Sequence, residues 1–89
     1  MTIKNIIYSP DFLKDIESLP QEIINLAFKK EQIFKKNPFH SSLRPHPLKG
    51  KLRGLWSISV NMHYRVIFQL EDDNVLFISI GKHDIYKNL

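Results

Sequence analysis

With 89 residues the chain is long enough for one domain and too short for two, so residues 1–89 are expected to form a single unit. A composition of 43% hydrophobic and 25% charged residues argues against disorder, and the absence of cysteine excludes a disulfide framework, a thiol nucleophile or a thiolate metal site. The formal charge is +4, the start of the chain lacks the pattern of a signal peptide, and no stretch reaches the roughly eighteen apolar residues of a membrane span, so a soluble, cytoplasmic protein with no membrane association is expected.

Ile3 to Tyr8 is β-rich and predicts a first strand. Ser9-Pro10-Asp11 predicts a helix start, with Ser as N-cap, Pro at the first helical position and an acid in the first turn. Phe12, Leu13, Ile16 and Leu19 then recur at helical spacing as far as Pro20. A second helix is predicted from about Gln21 to Lys36, with Ile23, Ile24, Ala27, Phe28 and Phe34 as its buried stripe. Lys35 and Lys36 complement the negative end of its dipole, and Asn37-Pro38 stops it.

Phe39 to Pro47 reads as a loop stiffened by Pro38, Pro45 and Pro47. Leu55 to Val60 alternates around Trp56, Ile58 and Val60, and His63 to Leu70 around Tyr64, Val66, Phe68 and Leu70, which predicts two strands. Glu71 to Asn74 is a turn, Val75 to Ile80 a last strand closed by Gly81, and Lys82 to Leu89 a polar tail. The expected class is α+β: an N-terminal strand, a helical hairpin, then a three-stranded antiparallel meander with the hairpin on one face. Leu19, Phe28 and Phe34 are expected to pack against Ile58, Val66, Phe68 and Phe77.

The charge is unevenly placed. From Gln32 to Arg65 there are seven Lys or Arg and no Asp or Glu, the footprint of a surface that meets a polyanion, RNA first among them, although a solvated basic face has the same composition. Within that segment Arg44, Lys49, Lys51 and Arg53 surround Gly50 and Gly54, which either let the backbone approach a ligand or simply form turns. The GxxxxGK[ST] spacing of a nucleotide loop is absent. Arg65, in a strand of apolar residues, needs solvent, a bound anion or a carboxylate such as Glu71 or Asp72. Which face it occupies depends on the turn at Asn61-Met62, because a slip of one residue inverts every side chain. After the last strand, His83, Asp84 and Tyr86 are types that serve acid–base chemistry, with Asp84 more simply read as the cap of a short final helical turn. His40, His46, His63 and His83 lack metal-ligand spacing, so no metal is expected.

The order of elements, the segments HPLKGKLRGLWSISV and NMHYRVIFQL, and the closing IGKHDIY together resemble toxins of bacterial type II toxin–antitoxin modules, the RelE/ParE superfamily, from about Ile3 to Tyr86. The resemblance implies a ribosome-dependent endonuclease that cuts mRNA without metal or other cofactor, through a 2′,3′-cyclic phosphate, and is silenced by a cognate antitoxin. Its implied partners are therefore that antitoxin, the ribosome and mRNA. By the same resemblance Arg65 stabilises the phosphate, and His83, matching the terminal histidine of the YoeB-like and YafQ-like branches, is acid or base. His46 matches a histidine of the YafQ-like branch, Tyr86 lies near the terminal aromatic, and Lys49, Lys51 and Arg53 lie where relatives bind RNA. The last strand lacks the second arginine of RelE itself, and His63 has no counterpart. Two other readings share the fold: a ParE-like inhibitor of DNA gyrase that cleaves nothing, and a catalytically silent RNA-binding domain.

Overall fold

The computed structural model describes residues 2–88; Met1 and Leu89, the ends of the expected unit and of its tail, lie outside the described residues. Strand β1 (Asn5–Tyr8) leads into helix α1 (Pro10–Glu17), whose N-cap is Ser9. The Ser9 hydroxyl accepts from the Phe12 N–H at 3.0 Å and donates to the Ile78 carbonyl at 2.7 Å, so one side chain both starts the helix and fastens it to the sheet. Helix α2 (Gln21–Lys36) has the bounds its periodicity predicts.

The remaining strands are β2 (His46–Pro47), β3 (Trp56–Ser59), β4 (Arg65–Glu71) and β5 (Asn74–Gly81). They form one sheet in the order β1-β5-β4-β3-β2, with β3, β4 and β5 as the expected antiparallel meander. β1 adds to it in parallel beside β5, which the α1–α2 crossover makes possible. The edge strand β2 lies in what the sequence reads as plain loop. It is two residues long and ends in proline, which is tolerable only at a sheet edge. In the tail, the expected short final helical turn is a 3₁₀ helix, His83–Asn88.

The core lies between the hairpin and one face of the sheet. Phe34, fully buried, meets Phe68 and Phe77 edge-on, with ring centroids 4.9 and 5.2 Å apart. One expected core residue, Phe28, and one residue of the α1 apolar spacing, Leu13, are elsewhere. Phe28 is 62% exposed and Leu13 is 53% exposed. The buried line on α2 runs through Ile23 and Phe34, three turns apart, and the 3.6-residue period places Phe28 about 140° from Ile23. Leu13 similarly sits about 100° round from the buried Phe12. Both rim an apolar groove floored by Ile58, Val66 and Phe77.

Strand alternation then decides the other face. Val66 and Phe68 belong to the core, so Arg65 and Ile67 project from the side opposite the helices. Directly paired residues share a face, which puts His46, Ser57 and Ile67 in one row and Ser59, Arg65 and Gly81 in the next.

Candidate active site

On that face, opposite α1 and α2, Arg65 is the anchor. Its Nε–H donates to the Ser57 hydroxyl at 3.0 Å and its terminal NH2 group to the Arg44 carbonyl at 2.9 Å, with a longer contact of 3.5 Å to the Ser57 carbonyl. A salt bridge to Glu71 or Asp72 does not form: both are at the far end of β4 and its turn, a strand length away. The guanidinium is thus half-buried on neutral acceptors, its charge uncancelled by any of them.

Arg44 supplies its carbonyl from a left-handed backbone, φ 48° and ψ 56°, at the end of a 3₁₀ turn, Ser41–Leu43. A non-glycine residue in that region is uncommon and costs conformational energy. The chain then turns into β2, whose His46 stands directly opposite Ser57 of β3.

From the other side comes the C-terminal 3₁₀ helix. It folds back at once after Gly81, where a Cβ would stand 2.5 Å from Cγ2 of the buried Ile85. With three residues per turn, His83 and Tyr86 fall on the same side of this helix, their ring centroids 6.1 Å apart. The Tyr86 phenol reaches the Ser57 hydroxyl at 3.4 Å. Asp84 is exposed in the first turn, inside the short helix and not ahead of it as a cap.

These elements enclose an open cleft of about 690 Å³ lined by Arg44, His46, Lys49, Arg65, His83 and Tyr86, together with Pro45, Leu48 and Leu52. Three cations and two imidazoles line it, and no carboxylate does, so its field attracts anions. All four residues expected to carry chemistry are in this one place, with two of the four expected RNA-binding residues. Lys51 and Arg53 are exposed and outside the lining. The other histidines are turn residues: His40 Nδ1 accepts from the Ser42 N–H, and His63 lies in a turn closed by the Asn61 side chain.

Ser57 was missed by sequence reasoning. It carries no charge, and its alternation with Ser59 between Trp56, Ile58 and Val60 is the only sign that this strand has a second, polar face.

Residues 8–84 match the family model of the YoeB-like toxin of bacterial type II toxin–antitoxin systems. A toxin YoeB of Synechocystis sp. is 35% identical over 60 residues, covering 67% of this chain and 66% of its own length. Toxin YoeB of Escherichia coli is 31% identical over 49 residues, 55% of this chain and 58% of that protein. In both cases the match takes in less than two thirds of the relative. A chain in the crystal structure of the toxin–antitoxin complex RelBE2 from Mycobacterium tuberculosis superposes with a TM-score of 0.79 at 17% identity, covering 93% of this chain and 94% of that one; this likeness concerns the fold.

Proposed function

The chain belongs to the YoeB-like toxins of bacterial type II toxin–antitoxin systems, and from that premise we propose that its cleft is the active site of an endoribonuclease that cuts mRNA on the ribosome and so stops translation. The observation that carries this reading is the meeting of Arg65, His46, His83 and Tyr86 in one cationic cleft from three separate parts of the chain. A gyrase inhibitor or a silent RNA binder has no use for two imidazoles and a phenol set around an anchored guanidinium.

In the reaction, Arg65, Lys49 and Arg44 hold the scissile phosphodiester and offset the charge that builds on its oxygens. One of His46 and His83 takes the proton of the ribose 2′-hydroxyl, whose oxygen bonds to phosphorus. The bond from phosphorus to the 5′-oxygen breaks, and the other imidazole returns a proton to that oxygen. The products are a 2′,3′-cyclic phosphate and a 5′-hydroxyl, and one imidazole gains the proton the other loses. The residues present need no metal for these steps. Tyr86 lies beside His83 to stack on a base or relay its proton.

The partner is a cognate antitoxin, as the complex of the Mycobacterium tuberculosis neighbour suggests by analogy. An acidic segment that orders on binding suits the cationic cleft and blocks Arg65 and His83. A complex leaving both residues open speaks against this partner geometry.

Controlled expression of wild type, Arg65→Ala and His83→Ala, following growth, translation and mRNA 5′-ends together, tests the function. Growth arrest with new 5′-hydroxyl ends inside reading frames, lost by roughly 100-fold or more in both folded variants, is expected. Arrest with intact mRNA and blocked replication would replace the proposal with gyrase inhibition.

A further inference from the structure

Ser57 is fully buried, 0% exposed, on a strand where its neighbours across the sheet are His46 on one side and Ile67 on the other. It therefore lies beneath the cleft and not on its wall, out of reach of any substrate. Its hydroxyl oxygen is nonetheless where two wall residues meet: Arg65 Nε–H at 3.0 Å from β4 and the Tyr86 phenol at 3.4 Å from the C-terminal 3₁₀ helix. Among the described residues no buried side-chain nitrogen or oxygen lacks a partner, so this hydroxyl is not stranded polarity needing some other explanation.

Geometry explains why one oxygen there matters. A guanidinium has five N–H donors in a rigid plane, and a plane is oriented only when it is held at two separated points. Ser57 Oγ holds the Nε edge and the Arg44 carbonyl holds an NH2 hydrogen. That leaves the NH1 group without a hydrogen bond to any described residue, on a side chain that lines the cleft. The same oxygen also accepts a longer contact, 3.4 Å, from the Tyr86 phenol on the short helix that carries His83. Among the described residues no other side chain is hydrogen-bonded to both the cation and the terminal helix.

Resting on the nuclease reading above, we propose that Ser57 is a positioning residue: its hydroxyl orients Arg65 toward the scissile phosphate and registers Tyr86 and His83 against it. It touches no substrate and acts through these groups alone.

The test pairs a kinetic readout with one independent of cleavage. Ser57→Ala removes one oxygen, and Ser57→Thr keeps the hydroxyl at the cost of a methyl group. With purified protein acting on mRNA bound to ribosomes, Ser57→Ala is expected to lower kcat roughly 10- to 100-fold with KM little changed, since a misplaced group loses transition-state contacts more than ground-state ones. Ser57→Thr recovers part of that loss. In an Arg65→Lys background, which has no Nε–H fork, the serine substitution costs far less, because the pair acts as a unit. Independently, nitrogen-15 NMR should show one arginine Nε–H protected from exchange in wild type, lost in Arg65→Lys and exposed in Ser57→Ala.

Full cleavage by Ser57→Ala, equal losses in the two backgrounds, or an Nε–H still protected without the serine hydroxyl each overturn the role of Ser57 while leaving the nuclease reading intact. Wild-type protein that cuts no mRNA but keeps the serine-dependent protected Nε–H overturns the nuclease reading, and with it any role in cleavage, while the anchoring contact itself stands.

Discussion

At the scale of single residues, the basic segment divides into cations that face the cleft and cations that do not. Arg44, Lys49 and Arg65 line it, whereas Lys51 and Arg53 sit on or just after the 3₁₀ turn Gly50–Leu52 and point to solvent elsewhere. In the proposed reaction a cation lining the cleft stands beside the phosphate, whereas one outside the cleft acts from farther away and is screened more by salt. Lys49→Ala should therefore lower kcat/KM for mRNA cleavage by roughly 10- to 100-fold. Lys51→Ala and Arg53→Ala should chiefly weaken binding and flatten its dependence on salt. Steady-state cleavage at two ionic strengths separates the two classes, and equal effects at all three positions would show that the division is wrong. The sequence shows these residues as one undifferentiated run because charge is visible there and direction is not.

At the scale of elements, the terminal helix is steered by its surroundings. A register shift in β4–β5 pairing between Ile67 and Phe68 leaves Ile78 as an extra residue in β5. Asp15 of α1 caps that irregularity, accepting from the Ser79 hydroxyl at 2.8 Å and the Ile80 N–H at 3.1 Å. The end of β5 is thereby held to α1 just before Gly81 turns the chain over the sheet. Gly81 is needed for space, because Ile85 occupies the room a side chain would take. Gly81→Ala should cost about 1–3 kcal/mol by overpacking and push the His83–Tyr86 helix outward. Urea unfolding measures the first effect. A cleavage defect larger than that of an equally destabilised core variant, such as Ile23→Val, measures the second.

For the whole molecule, the sheet is a partition: one face holds the core, the other the cleft, and β1 closes the partition on the side away from the site. β1 is fixed by its parallel pairing with β5 and by the Tyr8 phenol, which donates to the Glu31 carboxylate of α2. Burial, then the hydrogen bond to Glu31 and its negative charge, push the Tyr8 pKa from 10.0 up to about 12. The folded state holds that proton more tightly than the unfolded chain does. The stabilisation is fully present below pH 10 and is lost as pH rises toward 12. Urea midpoints should therefore fall across that window in wild type, and fall less in Tyr8→Phe, which has no phenol to ionise. Absorbance titration should show one of the three tyrosines ionising late. Identical alkaline profiles for the two proteins would remove Tyr8 from the account.

Features that depend on near neighbours along the chain can be read from the residues alone. The Ser9-Pro10 cap, the bounds of α2, the meander strands and the turn at Glu71–Asn74 are written in spacings of a few residues, where propensity and periodicity act. The residue types of the cleft were legible too, because chemistry limits which side chains can move protons or hold phosphate, and a family resemblance ordered them. Tertiary structure alone decided the rest. β2 exists only because β3 offers it an edge, and Phe28 and Leu13 are exposed because a helix has one packed side, whose direction is settled by the sheet beneath it. Arg65 faces the cleft because of pairing register, and Ser57 acquires its partners from residues 8 and 29 positions away. Contacts at that range depend on how strands align and where a terminus folds back, which no local pattern encodes.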